Sequence, residues 1–314
     1  MKTTVTVICP AYNEEEVIRS FYHVLHDELK RLPEKYEAGI IFVVDRCSDG
    51  TLEILKEIAT CDRAVRILAL SSRFGHQMSL LAGIDHCNSD AVVMMDSDLQ
   101  HPPSLIGAML EKFEQGYDVV YTIRQDPPEI GLLKRLSSKL FYRTINRISQ
   151  VPINESAADF RLASRRVVEV FQKQIRERNQ FLRGLFSWIG FRSVGIPFRA
   201  GTRPAGKSKY SLGRMVRFGA HGIISFSKKP LQAAVVAGFI FAAFGLLNAL
   251  VTFVQYFVYR SLPSGWTTMT ILISVFSGVQ LIFLGIIGEY IGAIFDEVKG
   301  RPHYLVEEQI NFDE

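Results

Sequence analysis

Two acidic side chains stand two residues apart at the end of an apolar run. Residues 92–98 read VVMMDSD, so Asp96 and Asp98 follow a stretch that is typical of a buried strand. Side chains alternate along a strand, so both carboxylates can converge only where the chain leaves the sheet. Two hard oxygen ligands with room for phosphate oxygens suit Mg²⁺ or Mn²⁺. The spacing therefore predicts a divalent ion that bridges a diphosphate leaving group, although a solvated turn or a helix cap gives the same spacing.

The elements that must position this pair alternate between strands and helices. The β-branched runs predict strands over Thr3–Cys9, Gly39–Asp45, Val65–Leu70, Ala91–Asp96 and Asp118–Ile123. The segments between them predict helices over Glu14–Arg31, Leu52–Thr60, His76–Cys87 and Pro103–Gln115. This alternation is typical of a mostly parallel α/β sheet, in which ligands bind beyond the carboxyl ends of the strands.

The last third of the chain has a different composition. Between Leu231 and Gly288 the only charged residue is Arg260. Because a bilayer core requires about 20 apolar residues per helix, two membrane spans over 231–259 and 267–291 are predicted, with a buried soluble hairpin as the alternative. Residues 211–230 are then a juxtamembrane segment and 292–314 a cytoplasmic tail. Small residues in the spans permit a homo-oligomer.

Basic residues flank the predicted spans on one side. Lys228 and Lys229 precede the first span, and Lys299 and Arg301 follow the second. The positive-inside rule therefore predicts that the remainder of the chain and both termini are cytoplasmic.

The middle of the chain is strongly basic. Residues 130–230 carry 21 Lys and Arg against 4 Asp and Glu. Within 131–150, a basic stripe with i+4 spacing predicts an amphipathic helix at the bilayer interface, with a solvated soluble helix as the alternative; its members are Arg135, Lys139, Arg143 and Arg147. Lipid phosphate is the expected partner and nucleic acid is not, because no nucleic-acid-binding motif is present.

Five segments together resemble one enzyme family. They are Pro10–Glu14 (PAYNE), Asp45–Thr51 (DRCSDGT), Asp96–Pro103 (DSDLQHPP), Asp159–Leu162 (DFRL) and Arg203–Ser211 (RPAGKSKYS). They resemble the family-2 glycosyltransferases of GT-A type, and within these the polyprenyl-phosphate glycosyltransferases: dolichol-phosphate mannose synthases and bactoprenol glucosyltransferases. The resemblance implies a Rossmann-like GT-A domain over residues 1–210 and a two-helix anchor.

The resemblance also implies roles for individual residues. The nucleotide sugar would be held by Pro10, Tyr12, Glu14, Asp45, Asp96 and Gln100. Asp96 and Asp98 would hold Mg²⁺ or Mn²⁺. Asp98 and Asp159 would be catalytic, and Asp159 is interpreted either as a base or as a group that orients an arginine. The acceptor phosphate would contact Arg135, Arg143, Arg203, Lys207 and Lys209.

One position departs from the family pattern. Arg46 stands where these enzymes have an acid, which leaves the choice between UDP and GDP donors open.

The implied function is inverting transfer of one sugar from a nucleotide sugar to a polyprenyl phosphate such as undecaprenyl phosphate. The enzyme would act at the cytoplasmic face of a bacterial-type inner membrane, in cell-envelope synthesis. UDP-glucose is the first choice of donor, followed by UDP-linked amino sugars and GDP-mannose. Two rival hypotheses are a processive polysaccharide synthase and a non-catalytic membrane scaffold with a degenerate transferase domain. Against the synthase, Gly184 replaces the tryptophan of its Gln-x-x-Arg-Trp motif.

Overall fold

A computed structural model gives the architecture of residues 2–125, 157–178, 180–199, 229–259 and 265–312. Among these residues the chain divides into two compact units. One contains a mixed sheet together with the end of the chain, and the other contains two long helices. The predicted basic helix over 131–150 and the Arg203–Ser211 segment lie outside the described residues, as does Arg260.

The first unit is built on one eight-stranded sheet with the order β7-β5-β6-β4-β1-β2-β3-β8. Its strands are β1 (Thr3–Ala11), β2 (Tyr36–Val44), β3 (Val65–Leu70), β4 (Ala91–Met94), β5 (Val119–Gln125), β6 (Ala157–Ser164), β7 (Ser193–Arg199) and β8 (Val306–Ile310). The four central strands β4, β1, β2 and β3 run parallel, whereas β6 and β8 are antiparallel to their neighbours. The carboxyl ends of the four parallel strands therefore meet at one edge.

Six helices accompany the sheet among the described residues. They are α1 (Ile18–Lys30), α2 (Thr51–Cys61), α3 (His76–Asp85), α4 (Leu105–Glu114), α5 (Arg165–Lys173) and α6 (Leu182–Trp188). Apolar faces hold the layers together: Phe21 of α1 meets Phe42 of β2 edge-on, with ring centroids 6.3 Å apart. Both side chains are fully buried. A buried aromatic pair of this kind fixes how the helix lies on the sheet.

The predicted mostly parallel α/β class is confirmed, and the central strands fall close to their predicted bounds. The first helix begins at Ile18 rather than Glu14. Asn13 has a positive φ of 55°, so the chain turns after β1 before it can enter a helix.

The end of the chain returns to the sheet, where the sequence predicts only a tail. β8 pairs antiparallel with β3, with Ile310 opposite Ile67 and Val306 opposite Leu70. Asn311 donates hydrogen bonds from Nδ2 to the carbonyls of Ala59 and Val65, at 2.9 and 2.8 Å. The sheet edge at β3 is thus covered by the chain's own C-terminal segment, as edge strands usually require.

The second unit contains α7 (Lys229–Tyr259) and α8 (Trp266–Val298). Within them, the segments Lys229–Gln255 and Ile271–Val298 each have a mean hydropathy of 2.3. The most apolar stretch of each segment has no buried residue. Both helices are long and apolar enough to cross a membrane. α8 extends seven residues beyond the predicted end of the second span at residue 291.

Candidate active site

The Asp96–Asp98 pair lies where β4 leaves the sheet. Ser97 between them is buried and donates a hydrogen bond from Oγ to the carbonyl of Pro10 in β1, at 2.8 Å. Both carboxylates are only partly buried, and the Oδ1 of Asp98 accepts the backbone N–H of Gln100 at 3.1 Å. The loop is held with Leu99 at a φ of +61°, a conformation that is uncommon for leucine. Such backbone conformations cluster at functional sites.

Two histidines flank the Asp96 carboxylate. The Nε2 of His76 lies 2.7 Å from Asp96 Oδ1, and the Nδ1 of His101 lies 3.8 Å from Asp96 Oδ2. Burial raises the pKa of Asp96, but the hydrogen bond and charge of His76 outweigh burial and bring it below its usual value. Burial lowers the pKa of His76, but the hydrogen bond and charge of Asp96 outweigh burial and raise it. His76 and Asp96 are therefore in direct contact at the end of β4, where each favours the charged form of the other.

The donor set at this strand end fits a divalent ion. Among the residues that the structure describes, no group of three or more His, Cys, Asp or Glu side chains could hold a metal. Mg²⁺ is commonly bound by one or two carboxylates together with substrate phosphates, and the partly exposed carboxylates of Asp96 and Asp98 match that arrangement. The protein would supply two oxygen ligands and leave the others to a diphosphate and water.

Asp45 has a structural use at the end of β2. It is buried, and its two carboxylate oxygens accept the backbone N–H groups of Phe74 and Gly75, at 2.7 and 2.9 Å. Gly75 has a φ of +91°, which favours glycine, and it immediately precedes His76. Asp45 therefore fixes the loop from which His76 reaches Asp96.

Arg46 acts on the same loop. Its Nη1 donates a hydrogen bond to the carbonyl of Ser71, at 2.8 Å. The side chain that departs from the family pattern thus joins the end of β2 to the end of β3. The guanidinium of Arg73, in this loop, lies 4.2 Å from the ring centroid of Tyr12. The half-buried Tyr12 ring and the loop are thereby held against each other.

Glu14 belongs to a turn that is tied to the start of α2. Its backbone N–H donates to Thr51 Oγ1 at 2.9 Å. Asn13 and Ser48 exchange two hydrogen bonds at 3.1 and 2.9 Å. The two motifs PAYNE and DRCSDGT, which are far apart in the sequence, therefore form one connected surface.

Asp159 lies on β6 and is paired with arginine. The Nε and Nη2 of Arg183 donate to its two oxygens at 2.8 and 2.7 Å, and Arg161 Nη2 lies 3.5 Å from Oδ1. Burial raises the pKa of Asp159, but the hydrogen bonds and charges of the arginines outweigh burial and hold it well below its usual range. A carboxylate with so low a pKa is a poor base. Of the two interpretations of Asp159, this geometry matches the one in which it orients an arginine.

The pairing of β6 with β4 brings Asp159 to the sheet edge that carries the Asp96–Asp98 pair. β4 and β6 pair antiparallel, with Ala91 opposite Ser164 and Met94 opposite Arg161, so Asp159 lies on β6 beyond the carboxyl end of β4, on the side where Asp96 follows that strand. The ring of Phe160 stacks on His101, with centroids 5.3 Å apart. The carboxylates after β4 and the arginines around β6 therefore belong to one site.

The site thus brings together most of the residues that the sequence predicts and adds three. Pro10, Tyr12, Glu14, Asp45, Asp96, Asp98, Gln100 and Asp159 all lie near the same sheet edge. The expected phosphate ligands Arg135, Arg143, Arg203, Lys207 and Lys209 lie outside the described residues. His76, Arg161 and Arg183 had no predicted role. The signal for Arg183 was the Gln180-x-x-Arg183 spacing, which is incomplete without the tryptophan.

The fold and the site define a class, the GT-A-like glycosyltransferases, in which a mostly parallel sheet carries an Asp-x-Asp pair at its carboxyl edge. Residues 6–171 match the family model described as glycosyl transferase family 2, and residues 229–294 match the model described as GtrB C-terminal hairpin. The chain belongs to glycosyl transferase family 2.

Curated relatives share nearly the whole chain. The chain is 37% identical over 308 residues to the uncharacterized glycosyltransferase YkcC of Bacillus subtilis, which covers 98% of this chain and 94% of that protein. It is 36% identical over 303 residues to the SfII prophage-derived bactoprenol glucosyl transferase of Shigella flexneri, covering 96% of this chain and 97% of that one.

A solved structure shares the fold. A mannosyltransferase from Pyrobaculum calidifontis, in complex with GDP-Man and Mn²⁺, matches with a TM-score of 0.51 and 15% sequence identity. The match covers 96% of this chain and 89% of that one.

Proposed function

We propose that this enzyme transfers a single sugar from a nucleotide sugar, with UDP-glucose as the first choice, to a polyprenyl phosphate at the cytoplasmic face of a membrane. The observation that carries the proposal is that the Asp96–Asp98 carboxylates and the arginine-bound Asp159 lie at the same sheet edge, on the neighbouring strands β4 and β6. Relatives named bactoprenol glucosyl transferase over the whole chain support both the sugar and the lipid.

The site has two halves: the donor half around Asp96 and Asp98 after β4, and the acceptor half around Asp159 on β6. The carboxylates of the donor half suit the nucleotide sugar. Asp96 and Asp98 would hold Mg²⁺ or Mn²⁺, which supplies charge neutralisation to the nucleoside diphosphate when it is bound. Tyr12 and the loop fixed by Asp45 and Arg46 adjoin this half, so they are placed to contact the nucleoside. Binding at these groups would present the anomeric carbon toward β6.

The reaction in this site needs no strong base. An acceptor phosphate oxygen forms a bond to the anomeric carbon while the bond from that carbon to the diphosphate oxygen breaks, and the nucleoside diphosphate leaves. A phosphate monoester is largely ionised at neutral pH, with a second pKa of about 6. The low pKa of Asp159 is compatible with this chemistry, because positioning and charge stabilisation carry the rate.

The second unit and the course of the chain support membrane anchoring. If α7 and α8 both span the bilayer, the chain crosses it twice, so the segments before α7 and after α8 lie on the same side. The segment after α8 includes β8, which is a strand of the catalytic sheet. Lys229, Lys299 and Arg301 at the ends of the hairpin favour the cytoplasmic side.

The test is transfer of labelled sugar by the purified full chain in detergent. Labelled UDP-glucose is supplied with undecaprenyl phosphate and Mn²⁺ or Mg²⁺, and the lipid product is identified by mass spectrometry. One hexose per lipid, made only with metal and abolished by EDTA, is the expected result. A polymer product would favour a processive synthase, and no product with any donor would favour a scaffold.

The donor is settled in the same assay. UDP-glucose, UDP-N-acetylglucosamine and GDP-mannose are compared at equal concentration with the same acceptor. We expect UDP-glucose to give the highest kcat/KM. A higher value with either of the others would change the donor assignment and leave the acceptor assignment intact.

A further inference from the structure

Arg183 is the most exposed member of a buried charge cluster that it forms with Asp159 and Arg161, and the proposed reaction gives Arg183 no role of its own. Its side chain is 33% exposed, whereas those of Asp159 and Arg161 are 12% and 5% exposed. Arg183 lies in the first turn of α6, whose neighbouring residues Leu182, Leu185 and Phe186 are buried. The helix is therefore anchored by its apolar face while Arg183 extends toward Asp159.

The cluster carries an excess positive charge. One carboxylate, Asp159, is shared between two guanidinium groups. Burial lowers the pKa of Arg161 to about 10, with the charge of Asp159 opposing that shift, so Arg161 remains protonated at neutral pH. Arg161 also lies over the ring of Phe186, with its guanidinium carbon 4.6 Å from the centroid. The three side chains hold a net charge of +1, which favours an anion next to Arg183.

The bidentate contact sets the direction of the guanidinium. Two parallel N–H···O bonds to Asp159 fix the plane of Arg183, because the guanidinium donors have a rigid fork geometry. A cation held in this way loses little conformational entropy when it binds a phosphate. Asp159 and Arg161 are thus positioning residues for Arg183.

Arg183 stands beside the donor half. The backbone N–H of Leu182 donates to the Oε1 of Gln77 at 3.2 Å, and Gln77 follows His76, the partner of Asp96. Asp159, which holds Arg183, lies on β6, the strand that pairs with β4 just before Asp96. Arg183 therefore lies near the metal-binding carboxylates without belonging to them.

We propose that Arg183 binds the attacking phosphate of the lipid acceptor, an inference that rests on the proposed function. Two anions must meet in this site, the donor diphosphate and the acceptor phosphate monoester, and their repulsion opposes the approach. Asp96 and Asp98 place the metal's charge on the diphosphate. The net positive cluster around Asp159 supplies a second, separate charge for the acceptor.

The experiment compares the acceptor constant with donor affinity in the full-length protein. Arg183→Ala and Arg183→Lys are assayed with undecaprenyl phosphate at saturating UDP-glucose, and UDP binding with Mn²⁺ is measured by calorimetry in the same detergent. Arg176→Ala is the matched control. Its ion pair with Asp85 has a length of 2.7 Å and side-chain exposures of 39% and 13%, and Asp85 is at the opposite end of α3 from His76.

We expect Arg183→Ala to lower kcat/KM for the acceptor by about ten- to a hundredfold, the range of one charge-assisted phosphate contact, while UDP affinity stays within about twofold. Arg183→Lys should recover part of the loss, because lysine restores the positive charge but cannot donate two parallel hydrogen bonds as a guanidinium does. Arg176→Ala should leave both constants near the wild-type values.

Two results would overturn the inference. A loss of UDP affinity with an unchanged acceptor constant would assign Arg183 to the donor diphosphate, and no change in either constant would remove it from the substrate contacts. Failure of the proposed function looks different, because the wild-type protein would then make no lipid-linked sugar at all.

Discussion

The two halves of the site use carboxylates in opposite ways. After β4, Asp96 and Asp98 are partly exposed at the sheet edge, and the side chain of Asp96 is 33% exposed. On β6, Asp159 is 12% exposed and is held by two arginines, and at the end of β2 the buried Asp45 is held by two backbone N–H groups. All four acids stand near one edge, where Asp96 and Asp98 are the two that we propose as metal ligands, and the nucleotide-binding role expected of Asp45 stays a prediction. The partners and burial of a carboxylate, rather than its presence in a motif, separate ligand groups from positioning groups.

The largest effect is expected on the exposed pair. Asp98→Asn removes one hard ligand charge at a strand end, so transfer should fall by more than about a thousandfold. The variant should remain folded and membrane-bound, because Asp98 is partly exposed beyond the end of β4 and Asn has nearly the same shape. The measurement is product formation with Mg²⁺ or Mn²⁺ beside a thermal unfolding curve. Near-normal transfer would mean that Asp98 is not a metal ligand.

Removing the buried carboxylate should act first on stability. Asp159→Asn leaves the charges of Arg161 and Arg183 without their shared partner, which is expected to lower the free energy of unfolding by about 3 kcal/mol at neutral pH. Wild-type Asp159 has a folded-state pKa below its unfolded value, so its contribution is present above about pH 4 and is lost as the pH falls below it.

The stability difference between wild type and Asp159→Asn should therefore shrink in acid. Thermal unfolding of both proteins in one detergent between neutral and acid pH provides the check. A difference that is constant across this range would show that the folded-state pKa of Asp159 is not depressed.

A substitution of Arg46 tests the part of the donor half that lies in the loop after β3. Arg46→Asp restores the acid of the family and breaks the hydrogen bond to the Ser71 carbonyl, so the Michaelis constant for UDP-glucose should rise about three- to tenfold. Arg63→Asp, an exposed change in the loop before β3, is the control for charge alone. Were only the acceptor constant to move, Arg46 would have to be reassigned to the other half.

The smallest effect is expected at the returning C-terminal segment, outside both halves. Tyr304 donates a hydrogen bond from its hydroxyl to Asp85 at 2.8 Å. Tyr304→Phe should lower the free energy of unfolding by about 1 kcal/mol and leave both substrate constants unchanged. Denaturant unfolding and steady-state kinetics measure the two quantities. A shift in the donor constant would extend the donor half to this segment.

The local sequence pattern predicts the central sheet and the Asp96–Asp98 pair, because each of these features depends on a short run of consecutive residues. The run from Ile40 to Val44 is apolar at every position and is buried in β2 as predicted. β8 is different: its sequence VEEQI has three consecutive polar, exposed residues, so no periodicity distinguishes an edge strand from a tail. Its place depends on pairing with β3, which is more than 200 residues earlier in the chain.

The same distinction holds within the site. The Asp96–Asp98 spacing is visible within three residues, so its chemistry follows from the strand end alone. The pairing of Asp159 with Arg183 joins residues 24 positions apart, and His76 reaches Asp96 across 20 positions. Contacts of this kind are products of the tertiary fold, which explains why Arg183 and His76 had no predicted role.

The most direct test of the division between the two halves is the gain in UDP affinity when Mn²⁺ is added. Calorimetric titration of UDP with and without Mn²⁺ is compared for wild type, Asp98→Asn and Arg183→Ala in one detergent. We expect Asp98→Asn to lose the metal-dependent gain and Arg183→Ala to retain it within about twofold. Loss of the gain in Arg183→Ala, or its retention in Asp98→Asn, would contradict the assignment of the carboxylates to the donor and of the arginine to the acceptor.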